Sequence, residues 1–353
     1  MLAHLRLAEP NLSACRSNAS NHSMAIQPKT RILGTGHFLP DQVRTNLDIE
    51  QLGVETTDQW IRERTGIRER RIAPEGMLTS DMAVAASKRA LEASDTKVSE
   101  LDMIVIGTIT PDMPMPATAA IVQRKLGAVG IPCFDISAAC AGFIFGISIA
   151  DAFIRSGLKK RVLVVGVELL SRVVNWSDRT TCVLFGDGAG AVVLGPSDDD
   201  RGILSTNTHT DGSLAESLMI QAGGSFMAVT PEAHLAKKDK ISMKGQDIFR
   251  AAVKNLYSAS QAAVDAAQMT NEQVDWVVPH QANLRIIDQV TDRAKYPKEK
   301  VLSNIEMVGN TSSASIPILL DQSLRSGKIK PRDVVLMCAL GAGVSWGAAL
   351  VRM

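Results

Sequence analysis

The chain has 353 residues, 45% of them hydrophobic and 21% charged, with 38 Lys+Arg against 37 Asp+Glu. That is a globular composition with length for about two domains, and its formal charge of +1 offers no bulk attraction to nucleic acid or an acidic membrane. Aromatic residues make up only 4%, too few for a base-stacking platform, and no apolar run reaches the roughly 18 residues of a membrane span.

Residues 1–30 are polar, rich in Asn and Ser, and lack the continuous apolar core of a signal peptide. They read as a disordered extension or as sequence upstream of an internal start at Met24. From Arg31 onward, strands and helices alternate, beginning with a short strand. The spacing of Met82, Ala83, Ala86, Ala90 and Leu91 predicts a helix over 80–93, capped by Thr79 or Ser80. Residues 101–108 form a short apolar run closing on Gly107, the pattern of a buried parallel strand. A helix over 117–126 closed by Gly127 and a strand over 133–136 come next. Residues 141–156 should form a helix, apolar nearly all round and stopped by Gly157, so a central, buried place is expected. Its apolar stretch is cut short by Asp151 and Arg155. After a buried strand over 161–167, residues 183–185 and 191–194 flank the turn Gly186-Asp-Gly-Ala-Gly.

The second half repeats this order. It gives a helix over 247–267, a strand over 274–280, a helix over 284–294, a strand over 301–304, a helix over 313–326 and a strand over 333–340. The last segment, 341–351, echoes 185–194. Two copies of one β-α-β-α-β-β module, 31–200 and 201–353, are the economical reading. Residues 211–240 break the pattern with Gly223-Gly224, Pro231 and the basic cluster Lys237, Lys238 and Lys240. They read as a long excursion over the surface.

The five cysteines, Cys15, Cys133, Cys140, Cys182 and Cys338, are odd in number and contain no Cys-x-x-Cys pair. Neither a disulfide framework nor a zinc site fits, so reduced thiols in a cytoplasmic protein are expected, with no metal. Cys140 lies at a strand-to-helix junction, Phe134-Asp-Ile-Ser-Ala-Ala-Cys-Ala-Gly-Phe. There the unpaired N–H groups and helix dipole favour thiolate character and can form half of an oxyanion hole. His280, in Val277-Val-Pro-His-Gln-Ala-Asn, stands at the carboxyl end of a core strand, where open α/β sheets bind ligands. Asn310, in Val308-Gly-Asn-Thr-Ser-Ser-Ala-Ser-Ile-Pro, occupies the place in the second half that Cys140 occupies in the first. Taken singly, a buried thiol, a core histidine and a helix cap explain these residues as well; the symmetry joins them. The glycine run 186–190 precedes a strand, whereas a dinucleotide loop opens a helix, so a Rossmann reading is rejected.

The chain resembles the thiolase superfamily and, within it, the β-ketoacyl-acyl-carrier-protein synthase III family, over about residues 31–353. The motifs are Trp60-Ile-Arg-Glu-Arg-Thr-Gly-Ile-Arg, Ala139-Cys-Ala-Gly-Phe, Phe185-Gly-Asp-Gly-Ala-Gly, His280-Gln-Ala-Asn, Gly309-Asn-Thr-Ser-Ser-Ala-Ser-Ile-Pro and Gly341-Ala-Gly-Val-Ser-Trp-Gly. The resemblance implies a five-layered α-β-α-β-α thiolase fold whose halves are related by a pseudo-twofold, and a homodimer. It implies Cys140 as nucleophile, His280 and Asn310 as the decarboxylation pair, and the N–H groups of Cys140 and Ala342 as oxyanion hole. It places Trp60, Arg64 and Arg179 at the nucleotide end of CoA, and Gly245, Ala282 and Asn283 along the pantetheine arm. Met115 and Phe185 belong by resemblance to the acyl pocket, with Met115 reaching across the dimer. Arg250, Arg285 and Arg293 match a patch that docks the acidic carrier protein.

The implied reaction is decarboxylative Claisen condensation of an acyl-CoA primer with malonyl-acyl-carrier-protein, initiating fatty-acid synthesis. No cofactor, membrane insertion or nucleic acid is expected. The nearest rival is a specialised starter-unit ketosynthase or acyltransferase of secondary metabolism; the retained Asn310 argues against it. An inactive acyl-CoA-binding paralogue is the rival from another class, and the intact Cys140, His280 and Asn310 argue against that.

Overall fold

The computed structural model describes residues 29–353. The expected N-terminal extension lies outside the described residues, except that Lys29 and Thr30 already belong to the first strand, β1 (Lys29–Phe38). A two-stranded ribbon of β2 (Val43–Thr45) and β3 (Glu69–Arg71) brackets α1 (Asn46–Glu50) and α2 (Asp58–Thr65). Next come α3 (Thr79–Ala93), β4 (Met103–Gly107), α4 (Thr118–Leu126), β5 (Cys133–Ile136) and α5 (Gly142–Arg155). The half ends with β6 (Val162–Glu168), the short α6 (Arg179–Cys182) and β7 (Gly188–Ser197). In the second half, β8 (Gly202–Thr210) precedes β9 (Leu218–Ile220), α7 (Pro231–Leu235), β10 (Ile241–Met243) and the long α8 (Gly245–Ala266). Then follow β11 (Trp276–Pro279), α9 (Leu284–Arg293), α10 (Ile305–Val308), α11 (Ser315–Arg325), β12 (Val334–Gly341) and β13 (Ser345–Arg352).

The first sheet has the order β1-β7-β6-β4-β5 and the second β8-β13-β12-β11. In each, an edge strand and two long strands pair antiparallel, and the next strand is added parallel. The counterpart of β5 is a single parallel bridge, Val301 to Val277, so the strand expected over 301–304 does not form. The buried Gln281 side chain explains this. Its carbonyl accepts from Ser303 Oγ at 2.7 Å and from the N–H groups of Asn304 and Ile305 at 3.1 Å each, drawing the chain into α10.

Five layers result. α3 and α4 cover one sheet, α8 and α9 cover the other, and α5 and α11 fill the space between the sheets. The apolar girth of α5 fits this central place: Phe143, Ile144 and Ile147 are fully buried, each worth roughly 1.5–3 kcal/mol of transfer energy. Asp151 and Arg155, which interrupt the apolar run, pair with each other one turn apart at 2.8 Å, and Arg155 also reaches the Ile203 carbonyl.

One helix start differs from expectation and one helix end agrees. Neither Thr79 nor Ser80 caps α3; carboxylates do. Asp81 accepts from the Leu78 N–H at 3.0 Å, and Asp112 accepts from the Ser80 N–H at 2.8 Å. Asp135 of β5 accepts from the N–H groups of Thr118 and Ala119, serving the first turn of α4. Gly127 ends α4 in the left-handed region, at φ 78°. The turn 186–190 runs into β7, and the fully buried Asp187 ties it to the Ala73 and Ser171 N–H groups. Residues 211–240 do more than skirt the surface, because β9 pairs with β10 to make a ribbon beside the candidate site.

Candidate functional site

Cys140 is presented by a tight turn. After β5 the chain passes through Ser137 and Ala138 into a single 3-10 turn, Ala139–Ala141, and then into α5. Ala139 takes φ 45° there, a conformation that costs energy for a residue with a Cβ. The first N–H groups of such a turn have no carbonyl within it, which leaves the Cys140 N–H available to a ligand. β12 ends against this turn at Gly341. A Cβ on Gly341 would lie 2.5 Å from the Cys140 nitrogen, so only glycine permits the approach. The next residue, Ala342, begins the tight turn Ala342–Val344, in which Gly343 takes φ 126°, and it lines the smaller cavity beside Cys140.

The second half repeats the geometry. Ser312–Ala314 form a 3-10 turn before α11, and Ser312 takes φ 50°. By backbone position the counterpart of Cys140 is therefore Ser313, and Asn310 stands three residues earlier. This corrects the register expected between Cys140 and Asn310. Asn310 is bound through its main chain to Leu184 and Gly186. Its Oδ1 accepts from the Ser312 N–H at 2.8 Å, which turns the amide Nδ2 away from that N–H as a free pair of donors.

His280 follows β11 and is 4% exposed. Its N–H bonds the Cys338 carbonyl, and its ring Nδ1 lies 2.7 Å from Ser315 Oγ. With Ser315 donating to Nδ1, the proton of the neutral imidazole sits on Nε2. Burial pushes the His280 ring down to about 3, so it is held neutral.

Burial also pushes the Cys140 thiol up to about 12, against the lowering effect of the neighbouring Ser312 side chain. The thiolate character expected from the helix terminus is outweighed by desolvation, and the resting group is a thiol. Behind Ser312 lies Glu168, the last residue of β6 and completely buried. Burial raises its carboxyl to about 7, while hydrogen bonds from Thr110, the Ile109 N–H and Ser312 oppose the rise.

Two cavities meet at Cys140. The larger, of about 470 Å³, has Cys140, His280 and Asn310 at its buried end, with Phe185, Gly245, Ala282 and Asn283 along its walls. Trp60, Arg64 and Arg179 line it where the side chains reach solvent. The Arg179 guanidinium stacks on the Trp60 ring at 5.1 Å from its centre, and Arg64 lies 6.0 Å from it. That spacing is too close for a planar base to lie between Trp60 and Arg179, so a base would displace Arg179 from the ring face. The smaller cavity, of about 220 Å³, continues past Cys140 between Ile109, Leu170, Phe185, Ile220 and Ala342. Its lining is mostly apolar.

Met115 lines neither cavity and is 83% exposed on the loop before α4. Arg250 on α8 and Arg285 and Arg293 on α9 are all exposed. Arg285 lies over the ring of Phe249, which lines the larger cavity, and Arg293 over that of Tyr257. Glu168, Gln281, Ser312 and Ser315 escaped the sequence reading as site residues. The serines stood inside a quoted motif, yet nothing local separated them from helix caps. Among the described residues, no group of three or more His, Cys, Asp or Glu side chains is arranged to hold a metal ion, and no helix is long and apolar enough to cross a membrane.

The layered, twofold-repeated architecture with a cysteine at one central helix start and His and Asn opposite defines a thiolase-fold condensing enzyme. Comparison with known proteins narrows this. Residues 134–212 match the family model for 3-oxoacyl-[acyl-carrier-protein] synthase III, and residues 264–353 match the model for its C-terminal part. A beta-ketoacyl-[acyl-carrier-protein] synthase III of Caldanaerobacter subterraneus subsp. tengcongensis is 47% identical over 321 residues, covering 91% of this chain and 97% of that protein. The crystal structure of 3-oxoacyl-[acyl-carrier-protein] synthase III from Aquifex aeolicus superposes with a TM-score of 0.85 at 46% identity, covering 92% of this chain and all of that one. The priming beta-ketosynthase of the R1128 polyketide pathway also superposes at 0.85, with 36% identity over 94% of this chain and 99% of its own. The chain belongs to the β-ketoacyl-[acyl-carrier-protein] synthase III family.

Proposed function

We propose that the chain condenses an acyl-CoA primer with malonyl-acyl-carrier-protein, with loss of CO2, to give the 3-oxoacyl-acyl-carrier-protein that starts fatty-acid synthesis. The observation that carries this reading is the larger cavity, which joins Cys140, His280 and Asn310 at its buried end to Trp60, Arg64 and Arg179 at its exposed end. A thioester at the first group and a nucleotide at the second fit CoA, with Gly245, Ala282 and Asn283 beside the pantetheine arm.

Cys140 Sγ attacks the thioester carbonyl carbon; the carbon–sulfur bond to CoA breaks, and CoA leaves as the thiol with the proton Cys140 gave up. The acyl chain lies in the smaller, apolar cavity. A malonyl thioester then takes the larger one. Its carbon–carboxyl bond breaks, CO2 leaves, and the enolate oxygen is held by the His280 Nε2–H and the Asn310 amide. Both donors are neutral, so neither traps the carboxylate before it is lost. The carbanion attacks the acyl carbonyl, whose oxyanion meets the N–H groups of Cys140 and Ala342. Collapse breaks the bond to Cys140, whose thiolate takes a proton from solvent, the one proton that the decarboxylative condensation consumes.

Atoms and electrons balance without a redox cofactor or metal. Arg250, Arg285 and Arg293 form the docking patch for the acidic carrier protein. The working unit is a homodimer. In its support, β5 is a free sheet edge with half-exposed Phe134 and Ile136, a surface suited to pairing with a second copy. The four described cysteines are free thiols, consistent with a cytoplasmic enzyme. The catalytic halves are 31–200, carrying Cys140, and 201–353, carrying His280 and Asn310.

Mass spectrometry of the protein mixed with acetyl-CoA, followed by release of labelled CO2 from malonyl-acyl-carrier-protein, tests the reading. An acyl adduct on Cys140 with condensation-linked CO2 is expected; an adduct without CO2 release would make the protein a plain acyltransferase.

A further inference from the structure

The mechanism leaves one transfer unassigned: where the Cys140 proton goes while sulfur attacks. His280 is poorly placed to take it. Its Nδ1 is engaged by Ser315, and its Nε2 must keep a proton to hold the enolate. A second proton would make a buried cation, which its surroundings oppose.

Ser312 offers another route. Its side chain lines the smaller cavity beside Cys140 and works against the rise of the thiol's proton affinity, and its hydroxyl donates to Glu168 Oε1 at 3.2 Å. We propose that Cys140 passes its proton through the Ser312 hydroxyl to the buried Glu168 carboxylate as it attacks the thioester, and that Glu168 gives it back along the same path to the sulfur of the departing CoA. The relay balances. The S–H bond breaks as Ser312 Oγ takes that proton, and the Ser312 O–H bond breaks as Glu168 Oε1 takes the other. The site holds one negative charge before and after. With that proton gone on CoA, Glu168 is a carboxylate again, and the Cys140 thiolate freed when the product forms takes its proton from solvent, the one proton the net reaction consumes.

The hydrogen bonds around Glu168 accommodate both of its states. As a carboxylate it accepts from the Ile109 N–H at 3.1 Å and from Thr110 Oγ at 2.8 Å, whose own oxygen accepts from the Leu169 N–H. As an acid it needs an acceptor, and Ser313 supplies one. The single hydroxyl proton of Ser313 is committed to the Gly107 carbonyl at 2.7 Å, leaving its oxygen, 3.2 Å from Glu168 Oε1, to accept. Thr108 Oγ, at 3.4 Å, completes the surroundings. The groups facing Glu168 are thus Thr108, Ile109, Thr110, Ser312 and Ser313, with Cys140 beyond Ser312. None is a cation that would pin the carboxylate ionised, and its raised affinity for a proton, near pH 7, suits a reversible store. Glu168 touches neither substrate nor sulfur and is a positioning residue for the thiol proton.

The proposal rests on Cys140 as the reactive thiol, but its test need not rest on the substrate. The rate of Cys140 alkylation by iodoacetamide is followed across the neutral range by peptide mass spectrometry on the full chain. The wild type should show an inflection near the Glu168 value of about 7, with the rate falling below it. Glu168→Gln should lose the inflection and react at least ~10-fold more slowly at neutral pH, rising only at alkaline pH. Glu168→Asp should restore the inflection. Ser312→Ala should match Glu168→Gln, and combining the two should cost nothing more. An unchanged profile in Glu168→Gln overturns the relay. So does a parallel loss of malonyl-CoA decarboxylation, which would mark a merely structural role. If Glu168→Gln fails to fold, Ser312→Ala and Glu168→Asp decide by the same profile. A wild type that shows the inflection yet takes no acyl group from acetyl-CoA would sink the proposed function and leave the relay standing.

Discussion

The two central helix starts, 138–142 and 311–315, share a backbone and oppose each other in chemistry. Each is a 3-10 turn with a left-handed residue at its first position, Ala139 or Ser312, ahead of α5 or α11. The first carries Ala-Cys-Ala-Gly and the second Ser-Ser-Ala-Ser. Behind the first turn, β12 ends in Gly341, whose missing Cβ lets the Cys140 N–H stand open. Behind the second, β6 ends in Glu168, whose Oε1 lies 3.2 Å from the hydroxyl oxygens of both Ser312 and Ser313. The strand ends alongside differ in the same sense. Gly107 closes β4 tightly on Gly142, whereas His280 follows β11 and bonds Ser315. Symmetric backbone thus makes two anion-receptive turns. Side chains then make one the bare seat of a nucleophile and the other a polar network that orients donors.

The sharpest way to break this comparison is to remove one chemistry and keep the other. Cys140→Ala should abolish acylation and condensation while malonyl decarboxylation persists through His280 and Asn310. Asn310→Ala should still be acylated but condense about 10²–10³-fold more slowly, the usual cost of one oxyanion donor. Single-turnover acylation by mass spectrometry and CO2 release measure the two separately. Equal loss of both activities in either variant would erase the division of labour.

A subtler test fills the close approaches. Gly341→Ala places a methyl 2.5 Å from the Cys140 nitrogen and should slow acylation about 10²-fold, because small displacements of reacting groups cost that much. Gly166→Ala places its methyl 2.2 Å from the Ser313 carbonyl, on the other turn. It should instead destabilise by about 1–3 kcal/mol, the range for overpacking. Urea unfolding and acylation rates together distinguish them; interchange of the two outcomes would mean that the turns are not specialised as described.

The legible part of this molecule was the periodic part. Alternating apolar runs and glycine stops gave the doubled α/β order and the buried α5, because local pattern and tertiary place agree there. The lone cysteine, histidine and asparagine were legible as candidates, but their pairing came from symmetry and motif resemblance. What stayed hidden is long-range. Glu168 meets Ser312 across 144 positions, and Asp112, not Thr79 or Ser80, serves the start of α3. The strand expected over 301–304 was lost to one side chain, Gln281, which satisfies the same backbone groups a neighbouring strand would. The three-residue offset between Cys140 and Asn310 required the turn itself.

The strand-end difference carries a pH signature. The folded-state value of His280 is lowered to about 3 from its ordinary 6.5. Below pH 6.5 the unfolded chain therefore binds a proton that the folded protein refuses, and stability falls as pH drops toward 3. Above 6.5 the group contributes no slope. The matching Gly107 cannot titrate, so the effect belongs to one half only. His280→Gln should show a shallower acid loss of unfolding midpoint in urea than the wild type; identical slopes would place the ring nearer to solvent than described.

The smallest expected effect concerns where the halves end and a second copy begins. Met115 is 83% exposed and absent from both cavities of its own chain, so any part it has in the acyl pocket must be played across the proposed dimer. The smaller cavity supports this: its lining residues Ile109 and Ile220 also line an open groove beside Pro114, on the loop that carries Met115. A methionine from a partner can close that end and still yield, since its unbranched chain turns about three bonds where a ring cannot. Acetyl-CoA should be preferred, with primers several carbons longer also used. Met115→Phe should narrow the range and Met115→Gly widen it, by at most about 0.8 kcal/mol per methylene. The ratio of kcat/KM for acetyl- and hexanoyl-CoA, measured on dimeric protein, reads this directly. If both variants weaken the dimer while the ratio stays fixed, Met115 packs the interface and the primer range is set by Phe185, Leu170 and Ile220 within one chain.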